Sequence, residues 1–337
     1  MKHQFFFLFS NCIPVSGLSQ AIIYDLQFHR YKIIPKLLHT VLNIKGKTVD
    51  ETKKEFHNKY NLGIDQYYTK LADEGFGFFT NEPEYFPEIE LGFAFPGIIS
   101  NAIIDIDLES NFDFSRIFIE LQSCGCDTVQ LRFYFPAKLM DLNLILNNLV
   151  DSSIKSVEIL VPFSSEFTKN NINEFVDLNK RIRKIIFHKW DVNQNQYHID
   201  DVVLFFLPNE LDYINDCGYI EKSEFVTNIR FFTEALHFNT CLHKKVSINT
   251  KGEIMNCPSL NIKFGNIDST SILNVVNSKK FQQLWHINKD KVHICKHCEY
   301  RYMCSDCRAF RSSESIYSKP SKCSYNPHKR NNLINFQ

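Results

Sequence analysis

Runs of aromatic and β-branched residues open the chain at 5–9, 21–26 and 31–34, each closed by a polar or glycine-containing turn. Short runs of this kind read as β-strands. The period then changes. Pro35 heads the segment 36–42, at a helix start, where proline costs least. Thr48, with Glu51 three residues on, makes a capping box and begins a second helix that runs through Lys59. Ile64, Tyr67, Tyr68 and Leu71 recur at helical spacing and stop near Gly75, giving a third. Residues 76–80 return to a strand pattern. Three strands followed by three short helices is a winged-helix-like order. It is equally the order of a plain α+β packing domain, and order alone gives no function.

Pro83 and Pro87 mark a linker at 81–87. Beyond it the two periods alternate. Strand patterns fall at 102–106, 128–133, 156–161 and 184–188, and helical patterns at 114–122, 138–150 and 172–180. Such alternation implies parallel strands joined by crossover helices, here a partial (β/α) barrel. The predicted class is therefore α/β in three parts: a winged-helix-like α+β unit over 1–85, a partial barrel over 86–235, and a cysteine-rich tail over 236–330. No repeat, coiled coil or glycine-rich phosphate loop is present, and Lys45-Gly46-Lys47-Thr48 lacks the preceding glycine of a P-loop.

Composition narrows the classes. With 337 residues, 44% hydrophobic and 23% charged, the chain has enough apolar residues for real cores. Lys+Arg and Asp+Glu balance at 38 each, which argues against bulk electrostatic binding to nucleic acid. No apolar stretch reaches eighteen residues, so no membrane partner is expected. Residues 1–9 imitate a signal peptide, but the apolar core is five residues long and no small-residue cleavage site follows. An odd count of eleven cysteines, seven of them clustered, is unlike a secreted disulfide framework and fits the cytoplasm.

The cysteines carry the chemistry. Cys241 precedes Gly252 by eleven positions and Cys257 follows it by five; then come Cys295-x2-Cys298-x5-Cys304-x2-Cys307, and Cys323 closes the set. A C-x2-C pair puts two thiolates on one turn, close enough to grip one metal centre. Gly252 predicts a hairpin between 245–248 and 253–256, with Cys241 and Cys257 at its open end. Iron–sulfur clusters and structural zinc sites both accept such pairs, and seven thiolates with one histidine would make two tetrahedral zinc sites.

This order resembles a SPASM domain, the C-terminal module of many radical S-adenosylmethionine peptide-modifying enzymes. Residues 236–328 match its motif, except that Cys304-x2-Cys307 is one residue short. The resemblance implies two [4Fe–4S] clusters, one on Cys295, Cys298, Cys304 and Cys323, the other on Cys241, Cys257 and Cys307 with an open iron. His237, His243 or a bound peptide is a candidate to fill it, although an ordinary surface or capping role explains either histidine. Enzymes of the radical class carry C-x3-C-x2-C after the first barrel strand. Here residues 107–114 hold no cysteine, and Cys12, Cys124, Cys126 and Cys217 do not supply the spacing. S-adenosylmethionine cleavage in the usual manner is therefore not expected, and 86–235 reads as a degenerate radical-SAM-like barrel. Cys124-x-Cys126 reads as a helix-end turn around Gly125, with a redox pair as the alternative.

A SPASM tail behind a cysteine-poor barrel, opening with Ser10-Asn11-Cys12-Ile13-Pro14-Val15-x-Gly17 and Ile22-Ile23-Tyr24-Asp25-Leu26, is similar to the SPASM-domain peptide maturase of grasp-with-spasm systems. That resemblance implies an ATP-grasp ligase partner and a ribosomally made precursor peptide. It also gives the first unit a meaning, as a leader-peptide-binding domain that adds a peptide strand at its sheet edge. Tyr31, Ile33, Tyr67, Tyr68 and Leu71 are then groove candidates, or simply core. No catalytic residue is assigned. Asp105, Asp107, Glu109 and His188 fall at strand ends without a feature that separates them from surface charges. A zinc-stabilised interaction protein and an iron–sulfur enzyme acting through the open cluster are the other readings of the same residues.

Overall fold

The computed structural model describes residues 3–190 and 196–329. They form two compact units, each assembled from separated stretches of chain. One takes in the chain up to Phe93, Tyr219–Thr240 and everything from His286 on; the other takes in Ala94–Gly218 and Cys241–Trp285.

The first unit begins with β1 (Phe5–Leu8), β2 (Cys12–Ser16), β3 (Ala21–Asp25) and β4 (Arg30–Ile34). Then come α1 (Lys36–Leu42), α2 (Val49–Glu55), α3 (Asn61–Asp73) and β5 (Gly77–Thr80). The Thr48 capping box forms: Thr48 Oγ1 accepts from the Glu51 N–H at 3.3 Å, and Glu51 Oε2 accepts from the Thr48 N–H at 2.8 Å. α2 is shorter than its sequence pattern, because His57 and Asn58 turn to positive φ after Phe56. β2, β3 and β4 make a three-stranded antiparallel meander, while β1 pairs with β5 in a separate ribbon, Phe5 opposite Thr80. The sequence reading missed β2 and placed 5–9 with the other strands. Pro14 and the flanking Asn11 and Gly17 read as a turn. Proline is nonetheless tolerated on an edge strand, and β2 is one.

β3 is the centre of this unit, because all five of its residues are buried. Ala21 and Ile23 face Leu38, Val41, Ile64, Tyr68 and Leu71 of α1 and α3. Ile22 and Tyr24 face the opposite way, onto Phe232 and Ala235 of the helix Ile229–His237 and onto Tyr300, Tyr302 and Met303. Full burial contributes roughly 1.5–3 kcal/mol for each large apolar side chain. The cysteine-rich tail is therefore the second wall of the N-terminal sheet.

Polar contacts fix the register of that wall. The Tyr24 hydroxyl donates to the Glu299 carbonyl at 2.6 Å, and the Leu18 N–H donates to the His297 carbonyl at 2.8 Å. Arg301 Nη1 donates to the Ser16 carbonyl at 2.8 Å. The buried Glu299 carboxylate accepts from Gln20 Nε2 at 2.5 Å and from the Tyr325 hydroxyl at 2.6 Å. Gly17 lets the two segments meet: a Cβ there would lie 2.9 Å from both Glu299 N and Glu299 Cβ.

The second unit is built on one nine-stranded sheet. β6 (Asn101–Ile106), β7 (Thr128–Phe133), β8 (Ser156–Pro162) and β9 (Ile182–His188) alternate with α4 (Phe114–Ser123), α5 (Leu139–Asn147) and α6 (Lys169–Leu178). β10 (Gln196–Ile199), β11 (Val202–Leu207), β12 (Lys245–Ile248), β13 (Glu253–Met255) and β14 (Lys263–Asn266) complete it. The order is β10-β11-β9-β8-β7-β6-β12-β13-β14. Pairings from β11 through β12 are parallel and the remaining ones antiparallel. The alternating pattern at 102–188 forms as predicted, with parallel strands and crossover helices. The predicted hairpin around Gly252 also forms, and β12 joins β6 in parallel, Ile248 beside Ile104. Among the described residues no helix is long and apolar enough to cross a membrane.

Gly17→Ala is expected to destabilise the protein by about 1–3 kcal/mol, the usual cost of overpacking a tight site. Backbone as well as side chain of Glu299 blocks the added carbon, so a rotamer change cannot relieve it. Urea denaturation measures this directly; an unchanged midpoint would contradict the tight packing of β2 on the cysteine segment.

Candidate metal centre

Residues 287–329 have little regular structure beyond short 3₁₀ turns at Lys289–Lys291 and Cys295–His297. Its fold is set by what it packs against. The Val226 N–H donates to the Met303 carbonyl at 2.9 Å, and the His293 N–H to the Tyr317 carbonyl at 3.0 Å. In this frame Cys295, Cys298, Cys304 and Cys323 all line one cavity. These are the four cysteines that the motif order groups together.

The remaining walls are informative. Ile220, Phe225, Ile294 and Tyr300 make an apolar lining, and Lys289, Arg301 and Lys319 bring positive charge. No carboxylate lines the cavity. Lys289 is buried, with a side chain 5% exposed; its Nζ donates to Cys304 Sγ at 3.4 Å and lies 3.4 Å from Asp306 Oδ1. Asp306 is itself held by Arg308 Nη2 at 2.5 Å and Asn239 Nδ2 at 2.9 Å. Four thiols, three cations and no carboxylate suit an anionic metal–thiolate centre. The cavity is tight, about 20 Å³, roughly one water's worth of space. The fit therefore rests on the donor set and its charges, not on a preformed volume. Among the described residues no three histidine, cysteine, aspartate or glutamate side chains converge on a point as a single ion would require.

Burial governs the thiols. It pushes Cys304 up to about 11 and holds Cys295 and Cys298 above the ordinary thiol value, although Lys289 pulls Cys304 and Cys295 the other way. For Lys289 burial alone would favour the neutral amine, but Asp306 and the thiols outweigh it and raise its ammonium well above the usual lysine range.

The other predicted ligands are distributed between the units. Cys307 is buried in the first. Cys241 and Cys257 are half-buried in the second, preceding β12 and following β13 at the open end of the hairpin. His237 ends the helix Ile229–His237, exposed, with Nε2 3.3 Å from the Leu91 carbonyl. His243 is buried edge-on against Trp285, ring centroids 5.5 Å apart. Cys124 and Cys126 flank the turn that ends α4, as predicted, and both are buried.

The strand-end residues find structural partners. Arg132 grips Asp105 with two hydrogen bonds, 2.6 and 2.7 Å, both groups buried. Leu211 N–H donates to His188 Nδ1 at 3.3 Å, which leaves Nε2 to donate to the Tyr213 hydroxyl at 2.7 Å; that hydroxyl donates to the Phe133 carbonyl at 3.0 Å. Burial pushes His188 down to about 4. Asp107 caps its own turn, accepting from the Glu109 N–H and the Ser110 hydroxyl. Glu109 is exposed and its backbone N–H serves that turn. Arg132 and Tyr213, like the cavity-lining Lys289 and the Asp306 and Arg308 behind it, carried no sequence signal. Lys289 sits in the polar run Asn288-Lys289-Asp290-Lys291, which reads as surface.

A family model for SPASM, an iron–sulfur cluster-binding domain, matches residues 241–299. The match takes in Cys241, Cys257, Cys295 and Cys298 and ends before Cys304. No curated protein matches. Among solved structures the chain is similar to Streptococcus suis SuiB bound to S-adenosylmethionine, at 12% identity and a TM-score of 0.39, over 95% of this chain and 100% of that one. That likeness is too distant to carry a ligand or an activity across. Residues 241–299 are thus similar to a SPASM iron–sulfur cluster-binding domain, and two of the cavity cysteines, Cys295 and Cys298, lie within that match.

Raised thiol values have a pH consequence for the metal-free protein. A group that ionises higher in the fold than in the unfolded chain stabilises the fold fully below its unfolded value. That contribution is lost as pH rises through the folded value. Stability of the metal-free protein is expected to fall between pH 9 and pH 11, the ordinary and shifted values for Cys304. Cys304→Ala should remove part of that fall. Urea titrations across the window check it, and a flat profile would contradict the buried placement of the thiols.

Proposed function

We propose that the protein is the cluster-carrying, precursor-binding component of a system that modifies a ribosomally made peptide beside an ATP-grasp ligase, in the cytoplasm. The observation that carries this reading is the grouping of Cys295, Cys298, Cys304 and Cys323 around one cavity, directly behind a small sheet with an available edge strand. On this reading those four cysteines hold a [4Fe–4S] cluster. Cys241, Cys257 and Cys307 are assigned a second by motif order alone. Bound clusters supply one-electron transfer and, where a thiolate is missing, a Lewis-acidic iron. The N-terminal α+β part is taken as winged-helix-like, and the parallel-rich sheet as a degenerate radical-SAM-like partial barrel that does not cleave S-adenosylmethionine.

The peptide-binding part rests on β4. Of the two edges of the meander, β2 carries Pro14 and has its Ser16 carbonyl taken by Arg301. β4 is the other. A guest strand beside it would gain backbone hydrogen bonds, with side chains read by neighbouring pockets. Among the groove candidates Ile33 and Tyr67 are exposed, and Tyr31 is half-buried against Tyr300. Tyr68 and Leu71 are buried in the core and are withdrawn from the groove.

Two measurements test the reading. Anaerobically purified protein should be brown and hold on the order of eight irons per chain; a colourless protein with two zincs would refute the clusters. In calorimetry the leader segment of the precursor should bind the full chain, and Ile33→Asp should weaken it at least tenfold. Absence of binding at high concentration would refute the peptide role while leaving the clusters standing.

A further inference from the structure

We infer that Lys289 sets the reduction potential of the cluster at Cys295, Cys298, Cys304 and Cys323, by fixing a buried positive charge and an N–H donor against the Cys304 sulfur. The inference rests on the cluster assignment above and goes beyond it to a tuning residue.

The argument begins with charge. A lysine is almost never fully buried unless it is paired. The partner of Lys289 is Asp306, but that carboxylate is shared. Its Oδ1 accepts from Arg308 Nη2 at 2.5 Å and lies 3.4 Å from Lys289 Nζ, while its Oδ2 accepts from Asn239 Nδ2 at 2.9 Å. Arg308 is wholly buried and spends its other amino group on the carbonyls of Ile316 and Ser318. Two buried cations therefore share one carboxylate, and the trio keeps a net positive charge. A merely structural salt bridge would be neutral. A surplus of buried positive charge calls for an anion, and the group that Lys289 reaches is the Cys304 sulfur at 3.4 Å, on the wall it shares with three more cysteines.

The consequence follows from Coulomb's law in a low-dielectric site. One-electron reduction adds a negative charge to the cluster and breaks no bond. A fixed ammonium favours the more negative state, and hydrogen bonds to the sulfurs act in the same direction. Lys289 should therefore raise the potential. Asp306, which offsets part of that charge, should lower it.

The test is a potentiometric titration of the full, iron-loaded chain, followed by visible absorption and electron paramagnetic resonance. In Lys289→Met one wave should move to a more negative potential, with the reduction equilibrium falling at least tenfold, or about 59 mV for one electron. The other wave should stay in place. Lys289→Arg should keep the wild-type value within a few-fold. Asp306→Asn should move the same wave the opposite way, and this variant decides the matter if Lys289→Met fails to hold iron. A Lys289→Met protein with full iron and an unmoved wave, or an Asp306→Asn protein with an unmoved or more negative wave, would overturn the inference and leave the cluster assignment intact. Zinc in place of iron in the wild-type protein would overturn both.

Discussion

The rest of the first unit depends on the burial of β3 on both faces. A three-stranded meander with one face on two helices would ordinarily leave its other face to water. Here Ile22 and Tyr24 need cover, and the tail around Tyr300, Tyr302 and Met303 supplies it. The tail in turn has almost no secondary structure of its own, so its shape comes from that contact and from the hydrogen bonds that Tyr24, Leu18 and Gln20 make to residues 297–299. Sheet and cysteine segment each lack half a core, and together they make one. A small loop-rich domain of this kind gains stability from a metal centre, because binding energy becomes folding energy.

Charge distribution then links packing to chemistry. The cavity beside Cys298 is apolar apart from thiols and cations. Burial favours the protonated form of Cys295, Cys298 and Cys304 in the metal-free state, while Lys289 pulls Cys295 and Cys304 toward the thiolate and Asp306 opposes it. In the second unit, polar residues at the strand ends are spent on one another. Arg132 is committed to Asp105 and His188 to Tyr213, so the ends of β6, β7 and β9 are tied by internal pairs.

Much of this was legible in the sequence because local rules sufficed. Thr48 and Glu51 announced a capping box and formed one; Gly252 announced a hairpin between Cys241 and Cys257 and formed one; the alternation over 102–188 gave parallel strands. The SPASM resemblance grouped the four cysteines that line one cavity. What sequence could not show was non-local. β2 was hidden by a proline that only an edge position tolerates. For Tyr68 and Leu71 groove and core were equally open until α3 was placed against the sheet, which makes them core. Lys289 reads as a solvated charge in a polar run, and only the fold buries it against Asp306 and Cys304.

The central claim is that the N-terminal sheet and the cysteine-bearing segment share one core, so that loading the proposed cluster would steady the sheet. Hydrogen exchange of the β3 amides, Ala21–Asp25, in metal-free and iron-loaded protein tests this most directly. The account predicts that iron loading slows exchange in β3 together with residues 289–325, in one cooperative unit. Protection confined to 289–325, with β3 exchanging at the same rate in both states, would contradict it.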